Sequence, residues 1–484
     1  MSGAPPVPAV TVDGIALTCP EVRQVARDGA TVSVHPSGLE RARLAREVVA
    51  RVAAARPVYG RTTGVGANRS VPASDSGHGL RLLRSHAGGA GPLLDVVRAR
   101  ALLVVRLNQL AAGGSGVDPA LLGVLAEALN LGVTPPVRMI GSIGTGDLAA
   151  LACVGLCLLG ERPWQGGTLP PFPLDPADAL AFMSSNAATI GEAALACADL
   201  GELLDAATVV AALSFLAVSG STEAYCASVH AGRPHPGQLA VAARMRHLLA
   251  GHPGPATRIQ DPYGYRALPQ VHGSAVDAVR GLDGVLAVEL NAAAENPMID
   301  VAAGEVRHNG NFYTAYLGLA LDAARAALFQ TAGLSAARLG TLVEPAFTGL
   351  RPFLADAAPA SSGVMLLEYV AHSALADIRR LASPAALGTA VLSRGLEEQA
   401  NFSTQAARAA TETVAAYRVV LACELVAAVR ALRMRGGVAW NPGPGPVREA
   451  YDLAAAALDP RVEDRPLDGD VEAADRLLPT LAAL

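Results

Sequence analysis

Apolar residues recur roughly every three to four positions along most of the chain, a helical period. "HPSGLERARLAREVVARVAAARP" (35–57) has this spacing, a Ser/Gly start and a proline stop. "VDPALLGVLAEALNLGVTPP" (117–136) predicts a helix capped by Asp118 with Pro119 at its first position, ending at Gly132. Asp175 and Pro176 open a third helical pattern that runs with few breaks to Leu213. The stretches 314–344 and 403–435 are Ala/Leu-rich with few breakers, and helices this long and apolar belong inside a bundle or an oligomer. Alternation of the strand type is brief and confined to the first seventy residues, in "AVTVDGIAL" and "ATVSVHP". The expected fold is mostly α, a long-helix bundle with small N-terminal strands. Its expected division is an N-terminal domain, 1–200, and a central helix bundle with C-terminal helices, 201–484.

Composition narrows the function. The 484 residues are 51% hydrophobic and 4% aromatic, with net charge −5, so neither nucleic-acid binding nor disorder is expected. All 38 basic side chains are arginine, which excludes a lysine Schiff base, a P-loop lysine and an amine nucleophile. The six cysteines form no C-x-x-C pair and read as buried small hydrophobes; Cys153 and Cys157, four apart, lack nearby His or carboxylate partners in sequence, and no metal is expected. A reduced, cytoplasmic setting fits this cysteine usage. Residues 1–14 show no signal-peptide pattern, and the uncharged run 206–222 reads as a buried helix rather than a membrane span.

The polar, Gly/Pro-rich segments between helices are where chemistry is expected: 60–73, 141–147, 251–273 and 308–313. Tyr59 stands before "GRTTGVG" and is a candidate acid or base if neighbours lower its pKa. "RIQDPYGYRALPQVHG" is denser, with Tyr263 as a second candidate base, Arg266 able to clamp a carboxylate bidentately, and Gln270. Ser85, His86, Asn291, Asn296 and Asn311 add polar groups beside turns, each of which alone reads as structural. A pocket of tyrosines, amides and arginine suits a small amino or carboxylic acid and names no reaction.

Together these loops resemble the histidine/phenylalanine/tyrosine ammonia-lyase superfamily. "VYGRTTGVG" resembles its Y-G-x-x-T-G-F-G loop with Val65 for Phe, and "SHAGG" its histidine-type S-H-A-A-G. "RLNQLAAGGSGV", "FMSSNAAT", "QDPYGYRALPQVHG", "ELNAAAENPMID" and "NGNFY" match further blocks in order, from about Tyr59 to Ser403. The resemblance implies a homotetramer with shared active sites and non-oxidative loss of ammonia. By position it makes Tyr59 and Tyr263 the acid/base pair and gives Arg266 the substrate carboxylate. Asn186 and Gln270, with Asn311, would support prosthetic group and substrate, and Ser85 and His86 would face the substrate side chain. At Glu398-Gln399 the family's Gln-Glu order is reversed, which displaces the expected imidazole-binding carboxylate.

The loop "GSIGTGDL" departs from the family most. There G-S-[VI]-G-A-S-G-D-L cyclises its Ala-Ser-Gly to 4-methylideneimidazol-5-one (MIO), an electrophile that activates a poor leaving group. Here Gly144-Thr145-Gly146 stands in that place, the loop is one residue shorter, and serine is absent. Dehydrated Thr145 would give an ethylidene whose methyl crowds the carbon to be attacked. The expectation is an uncyclised loop and no cofactor, with Thr145 retained among the candidate catalytic residues. The expected function is ammonia elimination from a histidine-like or aromatic amino acid if an electrophile forms. The alternatives are an MIO-independent homologue used for another elimination, addition or cyclisation in biosynthesis, and an inactive ligand-binding homologue. Retention of Tyr59, Tyr263 and Arg266 argues against the last. The expected partners are a small-molecule substrate and further copies of the chain, without nucleic acid or membrane.

Overall fold

The computed structural model describes residues 8–484 except 74, 76, 252–255 and 437–443. Its helices in chain order are α1 (Cys19–Ala26), α2 (Pro36–Ala55), α3 (His78–His86), α4 (Val96–Ala111), α5 (Ala120–Leu131), α6 (Leu148–Leu158), α7 (Ala179–Met183), α8 (Ala187–Ala217) and α9 (Ala227–Ala231). They continue as α10 (Pro236–Leu248), α11 (Tyr263–Arg266), α12 (Leu268–Glu289), α13 (Ala315–Leu342), α14 (Pro345–Thr348), α15 (Met365–Leu381), α16 (Ser403–Arg435), α17 (Pro446–Ala457) and α18 (Asp468–Ala482). The protein is mostly helical, as the apolar periodicity predicts.

Local signals account for several boundaries. Thr18 and Glu21 form a reciprocal capping box at the start of α1. Helix α5 ends at Gly132 in the left-handed region, at φ 72°. It begins one residue later than the sequence suggests, and Asp118 accepts the Ala120 N–H at 2.9 Å from outside the helix. The third helical pattern is a larger correction. It splits at Ser184–Asn186 into α7 and α8, because those three polar side chains are drawn into tertiary hydrogen bonds.

The strands are short. β1 (Val10–Val12) pairs in parallel with β2 (Val32–Val34), where the alternation predicts strands. Two further antiparallel pairs lie beyond residue 70: β3 (Ala90–Leu93) with β4 (Arg138–Ile140), and β5 (Met298–Asp300) with β6 (Glu305–Arg307). At three or four residues each, they are too short to show as alternation.

The chain divides into two compact units. The first comprises residues 1–198, 282–322 and 384–408. Its buried core contains Arg106 on α4, which donates to the carbonyls of Ala181 and Phe182 and pairs with Glu295 at 2.9 Å. Nearby, Arg46 and Arg61 both reach the buried carboxylate of Asp178. The second unit comprises 199–281, 323–383 and 409–484. At its centre Glu424 of α16 accepts two hydrogen bonds from Arg338 and one each from Ser214 and Ser335, so this buried pair leaves no carboxylate oxygen unsatisfied. Among the described residues one stretch, Pro176–Ala217, interrupted at Ser184–Asn186, has the length and apolar composition of a membrane span, and 83% of its most apolar window is buried within the protein.

Candidate active site

The turn 141–147 leads into α6 and is held from several sides. The Gly144 carbonyl accepts from Asn401 Nδ2 at 2.9 Å and from Thr314 Oγ1 at 3.1 Å. Two residues on, the Gly146 N–H donates to Asn186 Oδ1 at 2.9 Å. Behind the turn, Asp147 is buried and accepts from the Thr189 N–H at 2.8 Å and the Thr189 hydroxyl at 3.0 Å. Burial pushes its carboxyl above the usual range, and these donors pull the other way. Gly144 must be glycine. Its φ is +87°, and a Cβ there would lie 2.0 Å from Asn401 Oδ1 and 2.6 Å from Ser403 Oγ.

Tyr59 sits in the turn between α2 and the glycine-rich loop. Its phenol oxygen accepts the Gly66 N–H at 2.8 Å, and Gly66 adopts φ +56° to present that group. The sequence reading made Tyr59's role conditional on a lowered pKa, and the structure corrects this. Burial is the largest influence and pushes the phenol up; Glu397 adds to it, while the Gly66 N–H and Arg69 oppose. The Tyr59 N–H donates to His308 Nε2 at 3.3 Å, and the two rings meet edge to face. Burial, then Arg56, lowers the His308 pKa, which favours the neutral ring.

Tyr59 and Thr145 line one cavity of about 530 Å³. Leu148, Leu180, Phe312 and Leu396 supply apolar wall, and Arg69, Ser184, His308, Asn309 and Glu397 supply polar groups. Asn186 stands behind the turn and also donates to the Phe312 carbonyl at 2.5 Å. Five expected residues of this unit, Ser85, His86, Asn311, Glu398 and Gln399, are not among the lining. Ser85 and His86 end α3, with Ser85 exposed and bonded to the Leu82 carbonyl at 3.0 Å. Asn311 and the Glu398-Gln399 pair are exposed. Glu397, the residue before the Glu398-Gln399 pair, and Asn309, two positions before Asn311, line the cavity instead.

Tyr263, Arg266 and Gln270 belong to the second unit. The Arg266 guanidinium stacks on the Tyr263 ring at 4.3 Å, and Tyr263 is 66% exposed. Arg266 Nε and Gln270 Oε1 are buried without a hydrogen-bond partner.

The sequence reading missed Arg69, His308, Glu397 and Asn401. Asn401 had a legible local role, since its Oδ1 accepts the Ser403 N–H at 2.9 Å at the start of α16. Its second bond, to Gly144, spans 257 residues and left no local signal.

This helical scaffold, with a tyrosine turn, a pinned glycine turn and an amide clamp in one unit, is that of a carbon–nitrogen lyase, and comparison with known proteins supports that class. A family model described as aromatic amino acid lyase matches residues 17–477, and the chain belongs to that family. The histidine ammonia-lyase of Stigmatella aurantiaca is 34% identical over 495 residues, covering 97% of this chain and 96% of that protein. The tyrosine aminomutase of Streptomyces globisporus aligns with a TM-score of 0.90 and 30% identity over 98% of this chain and 97% of that one. An ergothioneine-degrading ergothionase from Treponema denticola, crystallised with desmethyl-ergothioneine sulfonic acid, aligns with a TM-score of 0.89 and 26% identity over 98% and 99%.

Proposed function

We propose that this lyase eliminates an amine from a small, histidine-like amino acid or derived carboxylate, and does so with an uncyclised turn. The observation that carries the substrate reading is Glu397 in the same cavity wall as Tyr59. It supplies, one residue earlier, the carboxylate that the reversed Glu398-Gln399 pair displaces, and it suits an imidazole or other cationic side chain. Histidine ammonia-lyases among the relatives support the same substrate class.

The residues of the turn do not fit MIO. No serine stands in the shortened turn, Thr145 being its hydroxyl residue, and the Gly146 N–H that ring closure would turn on the Gly144 carbonyl donates instead to Asn186 Oδ1 at 2.9 Å. The chemistry therefore falls to side chains. Tyr59, as base, takes the proton from the carbon beside the one bearing nitrogen; the C–H pair becomes the new C=C bond. The C–N pair departs with a nitrogen that is already cationic, an ammonium or quaternary group, which leaves as free amine, and an unsaturated carboxylate remains. A nitrogen that carries permanent positive charge leaves without further activation, so histidine-derived betaines such as ergothioneine fit this scheme beside histidine. Thr145 lines the same cavity.

Arg266 would hold the substrate carboxylate, with Tyr263 and Gln270 beside it, from a neighbouring copy in a homotetramer working in the cytoplasm. The unpartnered Arg266 Nε and Gln270 Oε1 support a ligand at that end.

Two measurements test the reading. Intact mass should equal the sequence mass; a deficit of two waters refutes the uncyclised turn. Amine release should be found with histidine or ergothioneine and not with phenylalanine or tyrosine; the opposite preference overturns the role of Glu397.

A further inference from the structure

Away from the cavity, three helices distant in sequence bring two thiols and a carboxylate together. Cys19 is the first residue of α1, Cys197 lies in α8, and Asp283 lies in α12, all within the first unit. The two sulfurs and a carboxylate oxygen all lie within 4.8 Å of one another. Both cysteines are buried, at 2% and 4% exposure, and neither is in a disulfide, while Asp283 is exposed.

We propose that Cys19, Cys197 and Asp283 bind one thiophilic divalent cation of the zinc type, with solvent as the fourth ligand. Tetrahedral zinc, with bonds of about 2.3 Å to sulfur and about 2.0 Å to oxygen, sets its ligand atoms roughly 3.5–3.8 Å apart. The observed triad is gathered to that scale before any metal arrives, so small side-chain rotations complete the site. Two sulfurs select zinc over magnesium or calcium, which prefer all-oxygen shells. The exposed carboxylate opens one side of the cluster to water, which provides both an entry path and the fourth ligand. Binding exchanges two thiol protons for one cation: two S–H bonds break, two S–metal bonds form, and two protons pass to solvent. Nothing is oxidised. The consequence is a clasp holding the short first helix onto α8 and α12. Two buried thiols alone would pack as small hydrophobes; the carboxylate at their open side is what makes this a ligand set.

The test uses the full-length protein purified under reducing conditions without chelator. Elemental analysis should find one zinc per chain, and Co²⁺ added to metal-free protein should give a sulfur-to-cobalt charge-transfer absorption. Asp283→Asn, at an exposed position that leaves the core intact, should weaken Co²⁺ binding at least ~10-fold, because even loss of a ligand's supporting partner costs that much. A Cys19→Ser/Cys197→Ser variant should lose the charge-transfer band, whereas Cys153→Ser should keep it. The proposal is overturned if reduced wild-type protein gives no such band, or if the band survives in the double variant. It is also overturned if the protein carries a Cys19–Cys197 disulfide and still takes up no metal after reduction.

Discussion

Asn401 spends both ends of one side chain on two structures: its NH₂ group donates to the Gly144 carbonyl at 2.9 Å, and its oxygen accepts the Ser403 N–H at 2.9 Å. The start of α16 and the turn at the cavity wall are thereby held by the same amide. A neutral amide bond is worth about 0.5–1.5 kcal/mol. The greater effect is positional, since the amide itself occupies the space that a side chain at residue 144 would need.

Gly144→Ala should destabilise the protein by roughly 2–5 kcal/mol, the sum of a left-handed backbone penalty and overpacking against Asn401 and Ser403. Urea denaturation should show a lower midpoint, and Asn401→Ala in the same chain should recover part of the loss. An unchanged midpoint for Gly144→Ala alone would remove the close contact.

Tyr59 should govern the pH dependence. Its phenol titrates above the ordinary tyrosine range, so at neutral pH it is mostly protonated, and a reaction needing the phenolate must speed up as pH rises toward that pKa. We expect kcat to rise about tenfold per pH unit from 7 to 9, one proton being lost per active base. Tyr59→Phe should flatten this profile and cut turnover at least ~10²-fold. Glu397 raises the phenol's pKa, so Glu397→Gln should shift the kcat profile toward lower pH while KM rises. A shift the other way would contradict the electrostatic assignment.

Arg266→Ala should raise KM by at least ~30-fold, the lower end of the cost of truncating a charge clamp. If Tyr59 and Tyr263 serve one site from different copies, Tyr59→Phe and Tyr263→Phe chains, each weakly active, should regain activity when mixed and reassembled. Light scattering should give four chains per particle. A monomer, or no gain on mixing, would place the two tyrosines in separate roles.

Glu424→Ala should cost about 3–5 kcal/mol, because it leaves Arg338, 1% exposed, buried without its counter-charge. Guanidinium denaturation followed by circular dichroism reads this directly. Replacing both partners by apolar residues of similar volume should cost much less than the single change.

Much of the fold was legible because helices advertise themselves locally. The period of apolar residues and the stop at Gly132 act over a few residues, and each predicts what is observed. The break at Ser184–Asn186 was not legible. Its three polar residues interrupt an otherwise apolar helical run without a glycine or proline to mark a stop, and they leave the helix because Asn296, Gln109 and Gly146 offer hydrogen-bond partners from elsewhere. The short strands β3 and β4 escaped for a related reason: pairing Ala90 with Ile140 and Leu93 with Arg138 needs no alternation in so short a segment.

By itself, the sequence determined that the protein is a mostly helical member of the aromatic amino acid lyase family, that it lacks lysine chemistry, and that its central turn reads Gly144-Thr145-Gly146. Those properties reside in local periodicity, residue inventory and motif order, none of which requires knowing what touches what. Only the tertiary structure decided that Glu397 rather than Glu398 lines the cavity, that burial raises the Tyr59 pKa, and that Asn401 occupies the space beside Gly144. It alone gathered Cys19, Cys197 and Asp283 from three helices. Desolvation, steric exclusion and ligand geometry depend on distances between atoms remote in sequence, and chain folding sets those distances.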